Sequence, residues 1–279
     1  MLYKDIVTSE ERAFYASRDD EFISCRLEGE LDGESAFKES RDIKVTDCYF
    51  DLRYPFWHVS GCDINNSVMT INCRAALWYS DNIRIASSKL DGIKVLRECK
   101  GISVTESSVK SPECGWFCDN ISFEGGSAEG EYFLFHSKNI TLKNLHFKGK
   151  YSFQYCENVV IEDSILDTKD AFWESKNITV KNSLVKGEYL GWYSENLTLI
   201  NCRIIGTQPL CYCKGLKLID CETEDCDLSF EYSEVDANIK GHIVSVKNPI
   251  SGSITADSIG EIIIDENSRG SCEIKEKTP

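Results

Sequence analysis

The residues best able to do chemistry recur at a fixed spacing. Glu39, His58, Tyr79, Glu98, His136, Tyr155, Glu174 and Tyr193 lie 19 residues apart or a multiple of it, save one step of 21. Phe117, Tyr212 and Glu231 fill the remaining places. An imidazole oriented by a carboxylate is a general base, so His58, with Glu39 one step away, is the candidate catalytic pair. Tyr79, Glu98, His136, Tyr155, Glu174 and Tyr193 are candidate ligand-binding residues, because flat rings stack on sugar faces and polar groups bond their hydroxyls. A second series, five residues earlier, reads Glu34, Arg53 and Arg74. Two guanidinium groups on successive steps repel unless an anion lies with them. Glu34 serves one; a ligand carboxylate, as in a uronate, could serve both. The plain alternative is a structural ion-pair ladder.

These series belong to a repeat that runs along the chain. Asn82, Gly101, Asn120, Asn139, Asn158, Asn177, Asn196 and Gly215 are each 19 residues apart. An apolar residue follows each (Ile83 to Leu216), and another lies two further on (Ile85 to Leu218). Mostly polar residues stand between them, so the pattern has period 2 and reads as a strand with one buried face. A unit this short has no core of its own, and stacked copies do. Each lap lies on the next at about 4.8 Å, so equivalent residues become vertical neighbours. Asn and Gly suit the left-handed corner. The fold expected is all-β: a single-stranded parallel β-helix, or β-solenoid, of about 19-residue coils. Upstream, Asp63 is placed 19 before Asn82 and Asp42 a further 21 before it, which puts a two-residue insertion between the two aspartates.

The last segment of each coil is read as a strand, which sets limits on chemistry. Trp57, Trp78, Trp116, Phe135, Trp173 and Trp192 are expected to face inward. The series from Glu39 to Glu231 then faces out with Tyr132, Tyr151, Tyr189, Phe153 and Phe172 as an aromatic wall. Glycosidase carboxylates stand roughly 5–9.5 Å apart. On strand spacing Asp170 and Glu174 are about 13 Å apart, and Glu39 and Glu98 about 14 Å, which is too far. His136 and Glu174 are two coils apart, near 10 Å, and their side chains could converge. A lyase would set His58 as base beside Arg53 or Arg74.

Thr8 and Glu11 form a capping box, so a short cap helix is expected at the start. The chain is expected to be one domain: cap 1–20, regular coils 21–231, irregular last coils 232–265 and a polar tail 266–279. The 42% hydrophobic content excludes a disordered chain. A net charge of −15 repels phosphate backbones, so nucleic acid is not an expected partner. There is no apolar run long enough for a membrane span, and no basic and apolar leader at residues 1–16. A cytoplasmic location follows as an expectation, with the 14 cysteines as reduced, compact core residues. Neither their spacing nor any other motif indicates a metal, and no cofactor is expected.

Four stretches carry a family resemblance: ERAFY at 11–15, GESAFKES at 33–40, RYPFWH at 53–58 and RAALWYSDN at 74–82. They resemble a bacterial family of unknown function, domain-of-unknown-function family 3737, which is similar to right-handed pectin-lyase-like β-helices. The resemblance implies right-handed coils and cytoplasmic residence, and it brings no reaction or catalytic residues. His58 departs from the aromatic expected at its place. Two functions remain open. One is carbohydrate binding or processing on the aromatic face, with a lyase or hydrolase as the enzymatic form. The other is a non-catalytic scaffold using that face to form a homo-oligomer.

Overall fold

The computed structural model describes residues 1–28 and 34–277. Gly29, Gly33 and the last two residues of the expected tail lie outside the described residues. The chain divides into two compact units, Met1–Thr141 and Leu142–Pro279. Each is a parallel β-solenoid. In the first, the long strands Arg41–Thr46, Ser60–Asn65, Asp81–Ala86 and Lys100–Thr105 pair parallel in chain order. The short strands Tyr49–Asp51, Val68–Met69, Lys89–Asp91 and Ser108–Lys110 pair likewise round the corner. The second unit repeats this with Glu157–Glu162, Lys176–Lys181, Glu195–Ile200 and Leu216–Glu224. Ile83 lies on Ile102 and Ile85 on Val104, all buried, as the period-2 pattern requires. The corner asparagines have positive φ, 55° at Asn82 and 59° at Asn120. In the second unit their amides form a ladder, Asn196 donating to Asn177 at 3.0 Å and Asn177 to Asn158 at 3.2 Å.

Three details of the expected fold are corrected. The cap helix is absent: no helix occurs among the described residues, and none is long and apolar enough to cross a membrane. Residues 11–16 are instead one side of the first coil. Their N–H groups bond the next coil (Arg12 to Glu34 O, Phe14 to Ala36 O, Ala16 to Lys38 O), and positive φ at Arg12 and Ala16 breaks any helix. The insertion lies one coil later than expected. Arg84 pairs with Asp63, and Gly61, at φ 71°, is the corner residue before Asn82. The two extra residues fall between Thr70 and Arg74, where Ile71 is 78% exposed. Finally, the expected tail contains a strand, Glu273–Glu276, paired with Ser251–Ala256.

The third side of each coil is mostly not a strand. Left-handed residues alternate along it: Glu113, Gly115 and Phe117; Tyr132, Leu134 and His136; Asp170, Phe172 and Glu174. A left-handed non-glycine residue costs roughly 1–2 kcal/mol. Because successive coils repeat it, this strain belongs to the architecture and does not mark a site.

The cysteines have a specific place in this packing. At one corner Ser67 N–H donates to Ser88 Oγ and Ser88 N–H to Ser107 Oγ, both at 3.0 Å. Cysteines take the same positions: Cys25 N–H donates to Cys48 Sγ, and Cys48 N–H to Ser67 Oγ. At another corner Cys99 N–H donates to Cys118 Sγ at 3.4 Å, and Cys118 N–H to Ser137 Oγ at 2.8 Å. The thiols are free, and burial pushes those of Cys48 and Cys114 up to about 12, so they stay protonated. Cys118→Ser keeps the acceptor and should change stability by less than about 1 kcal/mol; Cys118→Val strands the Cys99 N–H and should lose roughly 1–3 kcal/mol in urea denaturation.

Candidate functional site

On the third side of the first unit two columns of side chains run up the coils. One reads Lys38, Trp57, Trp78, Arg97, Trp116 and Phe135. These residues are half-buried, so the expectation that the tryptophans fill the core is corrected. The core is filled by the residue before each: Phe56, Leu77, Leu96 and Leu134 are fully buried. Phe153 and Phe172, expected outside, are core residues of the second unit for the same reason. With alternating handedness the backbone no longer turns successive side chains to opposite faces, so the period-2 reading fails there.

The column is held by ring stacking and cations. Lys38 Nζ sits 4.2 Å from the Trp57 ring centroid. Trp57 and Trp78 stack at 5.7 Å and 15°. The Arg97 guanidinium lies 5.8 Å from Trp78 and 5.6 Å from Trp116. The adjacent, more exposed column reads Glu39, His58, Tyr79, Glu98, Phe117 and His136. His58 stacks on Tyr79 at 5.1 Å, and Phe117 on His136 at 5.5 Å. Rings inside a stack cover one another's faces and leave edges for solvent. The stack of rings is not continuous along the column.

It breaks at Glu98. Between Tyr79 and Glu98 lies an open groove of about 580 Å³, lined also by Asp81, Asn82, Lys100 and Asn120. Gly101 lines it too: it interrupts the asparagine column, and a Cβ there would meet Asn82 Oδ1 at 3.1 Å. Asp81 accepts from Ser60 Oγ at 2.8 Å and Asn82 Nδ2 at 2.6 Å, which fixes its carboxylate. Glu98 lies 3.5 Å from Arg97. Lys100 makes no ion pair with any described residue.

The structure therefore joins Tyr79 and Glu98 in one groove, with His58 stacked behind Tyr79. Glu39 stands one coil before His58, and no hydrogen bond joins their side chains. Arg53 pairs with Glu34 at 3.2 Å. Arg74, on the next coil, is exposed and makes no ion pair among the described residues. Ring contacts run from Tyr54, beside Arg53 in the chain, through Trp57 and Trp78 to the outer column. Tyr54 touches both indoles, which in turn touch His58 and Tyr79. His136 is exposed.

In the second unit Tyr155, Glu174 and Tyr193 are all exposed. Tyr193 stacks on Tyr212 at 4.7 Å, and Tyr212 meets Tyr232 at 5.7 Å. Tyr232 takes the place expected for Glu231, because that coil is one residue longer. Glu231 pairs with Lys247 at 2.9 Å. Asp170 and Glu174 flank a turn-like segment, so a separation reckoned from strand spacing does not apply. Burial pushes the Asp170 carboxyl up from its usual range. Among the described residues no cluster of His, Cys, Asp or Glu is placed to hold a metal ion. Asp81, Lys100, Lys38 and Arg97 were missed in the sequence. The last two were legible as members of the tryptophan series at its own spacing.

Fold and face together define a parallel β-helix protein with a ring-lined outer side. The chain belongs to the DUF3737 family, described as proteins of unknown function, whose family model matches residues 1–276. No curated protein matches it. Among solved structures it is similar to the mannuronan C-5 epimerase AlgE6 A-module of Azotobacter vinelandii, at 11% identity and TM-score 0.39, covering 100% of this chain and 89% of that one. It is also similar to a double mutant of the periplasmic alginate epimerase AlgG, at 11% identity and TM-score 0.34, covering 99% and 77%. The catalytic domain of a GH87 alpha-1,3-glucanase in complex with nigerose follows at 10% identity and TM-score 0.26, covering 99% and 58%. With TM-scores this low, the likenesses carry no chemistry over to this chain.

Proposed function

We propose that this protein binds a carbohydrate on its aromatic outer face, with a neutral sugar ring seated in the groove between Tyr79 and Glu98. The observation that carries the reading is the break in the ring stack at Glu98. There the Tyr79 ring, 40% exposed, adjoins carboxylate, amide and ammonium groups that suit sugar hydroxyls. A cytoplasmic, reducing location is part of the same proposal. It is supported by buried thiols in vertical register, such as Cys99 and Cys118, which an oxidising compartment would tend to cross-link. Calorimetric titration with a panel of neutral disaccharides tests the binding. Tyr79→Ala is expected to weaken the best ligand about tenfold, the worth of one stacked ring. If no sugar in the panel binds at millimolar concentration, or Tyr79→Ala binds as well as the parent, the groove is not the site.

A further inference from the structure

Trp57 Nε1 and Trp78 Nε1 are buried and have no hydrogen-bond partner. They are the only such side-chain atoms among the described residues. Two other indoles of this series are satisfied by the next coil. Trp116 Nε1 donates to Tyr132 O and Trp192 Nε1 to Gln208 O, each at 2.9 Å. Trp57 and Trp78 depart from this on two successive coils, with their rings nearly parallel. A buried donor left unpaired is destabilising and calls for an acceptor.

The carboxylates described on this edge are taken up by other groups: Glu34 pairs with Arg53, and Asp51 accepts from Thr70 and Asn72. Lys38 lies over Trp57 and makes no ion pair among the described residues. Arg74 is exposed and likewise without an ion pair there. The two-residue insertion immediately precedes Arg74, and in solenoids such irregular coils commonly carry the binding face. Tyr54 packs on both indoles, at 5.8 and 5.9 Å.

We propose that this patch is an anion site that takes a ligand carboxylate, its two oxygens accepting from the Trp57 and Trp78 N–H groups while Arg74 supplies the countercharge. The two indoles stack at 5.7 Å with nearly parallel planes, so their N–H groups stand on successive coils, one for each carboxylate oxygen. The site rests on the carbohydrate reading and deepens it: beside the neutral ring in the groove, the ligand carries a second sugar with a carboxylate. The grip on the carboxylate stands without the groove.

Indole resonances of the full chain in 1H–15N spectra give the test, with Trp57→Phe and Trp78→Phe assigning two of the five tryptophans. Sodium glucuronate, sodium acetate and glucose are titrated at constant ionic strength. Glucuronate and acetate are expected to move the Trp57 and Trp78 N–H resonances downfield, and glucose to leave them in place. Arg74→Gln is expected to weaken glucuronate about tenfold or more. Stationary resonances, or equal shifts with glucose, overturn the proposal. Carboxylate-specific shifts without neutral-sugar binding discard the groove alone, and the reverse discards the anion site alone.

Discussion

Phe172→Ala is expected to lose roughly 3–5 kcal/mol of stability, while Glu174→Ala, two residues on, should stay within about 0.5 kcal/mol. Phe172 is 1% exposed and stacks on Phe153 at 5.2 Å and 14°. Both positions have positive φ, 61° and 50°, so backbone strain is common to the pair and the difference reports burial. Urea denaturation of the two variants at one temperature measures it. Equal losses would mean that Phe172 does not point into the core, and the whole account of the third side would fall with it. An alanine leaves a cavity between neighbouring coils that the stacked backbone cannot close, which is why the upper part of the range is expected.

The second large effect is expected at Gly187. A Cβ built there would stand 1.4 Å from the carbonyl oxygen of Thr168 one coil before, and its φ of 144° is one that side chains rarely adopt. Gly187→Ala must move one coil away from the next, and should lose roughly 3 kcal/mol or more. The midpoint in urea should fall with little change in slope. A midpoint within error of the parent would show that the coils are not packed this tightly. Gly206 meets Gly187 O in the same way, at 2.1 Å, so the close approach is shared by successive coils.

Much of the fold was legible because two sides of each coil follow β geometry. Ile83, Ile102 and Ile121, with Ile85, Val104 and Phe123, announce their burial by alternation alone. The third side was misread because alternation assumes extended dihedrals. Phe172 and Trp173 are adjacent, the first buried and the second half-exposed, with the second at the place period 2 assigns to the core. Gly61 was passed over as a corner because Asp63 resembled the asparagines, and the insertion was misplaced by one coil. Of the candidate site, Tyr79 and Glu98 were in hand as neighbours in one series. Asp81 and Lys100 were not, since they sit on the next strand and only the corner at Gly101 brings them into the groove. The unpaired indoles were beyond sequence, because Trp57 and Trp116 share a position and differ only in where the N–H points.

The serine and cysteine ladders have a direction. In every bond described for them, the N–H of an earlier coil donates to the side chain of a later one: Ser67 to Ser88, Ser88 to Ser107, Cys99 to Cys118, Ser164 to Ser183. Trimming coils from the front would leave behind hydroxyls and thiols that water can satisfy. Trimming from the back would strand amide protons inside a corner. The two termini are therefore unequal as points of shortening, and a chain emerging front end first would have each corner left open until its successor arrives.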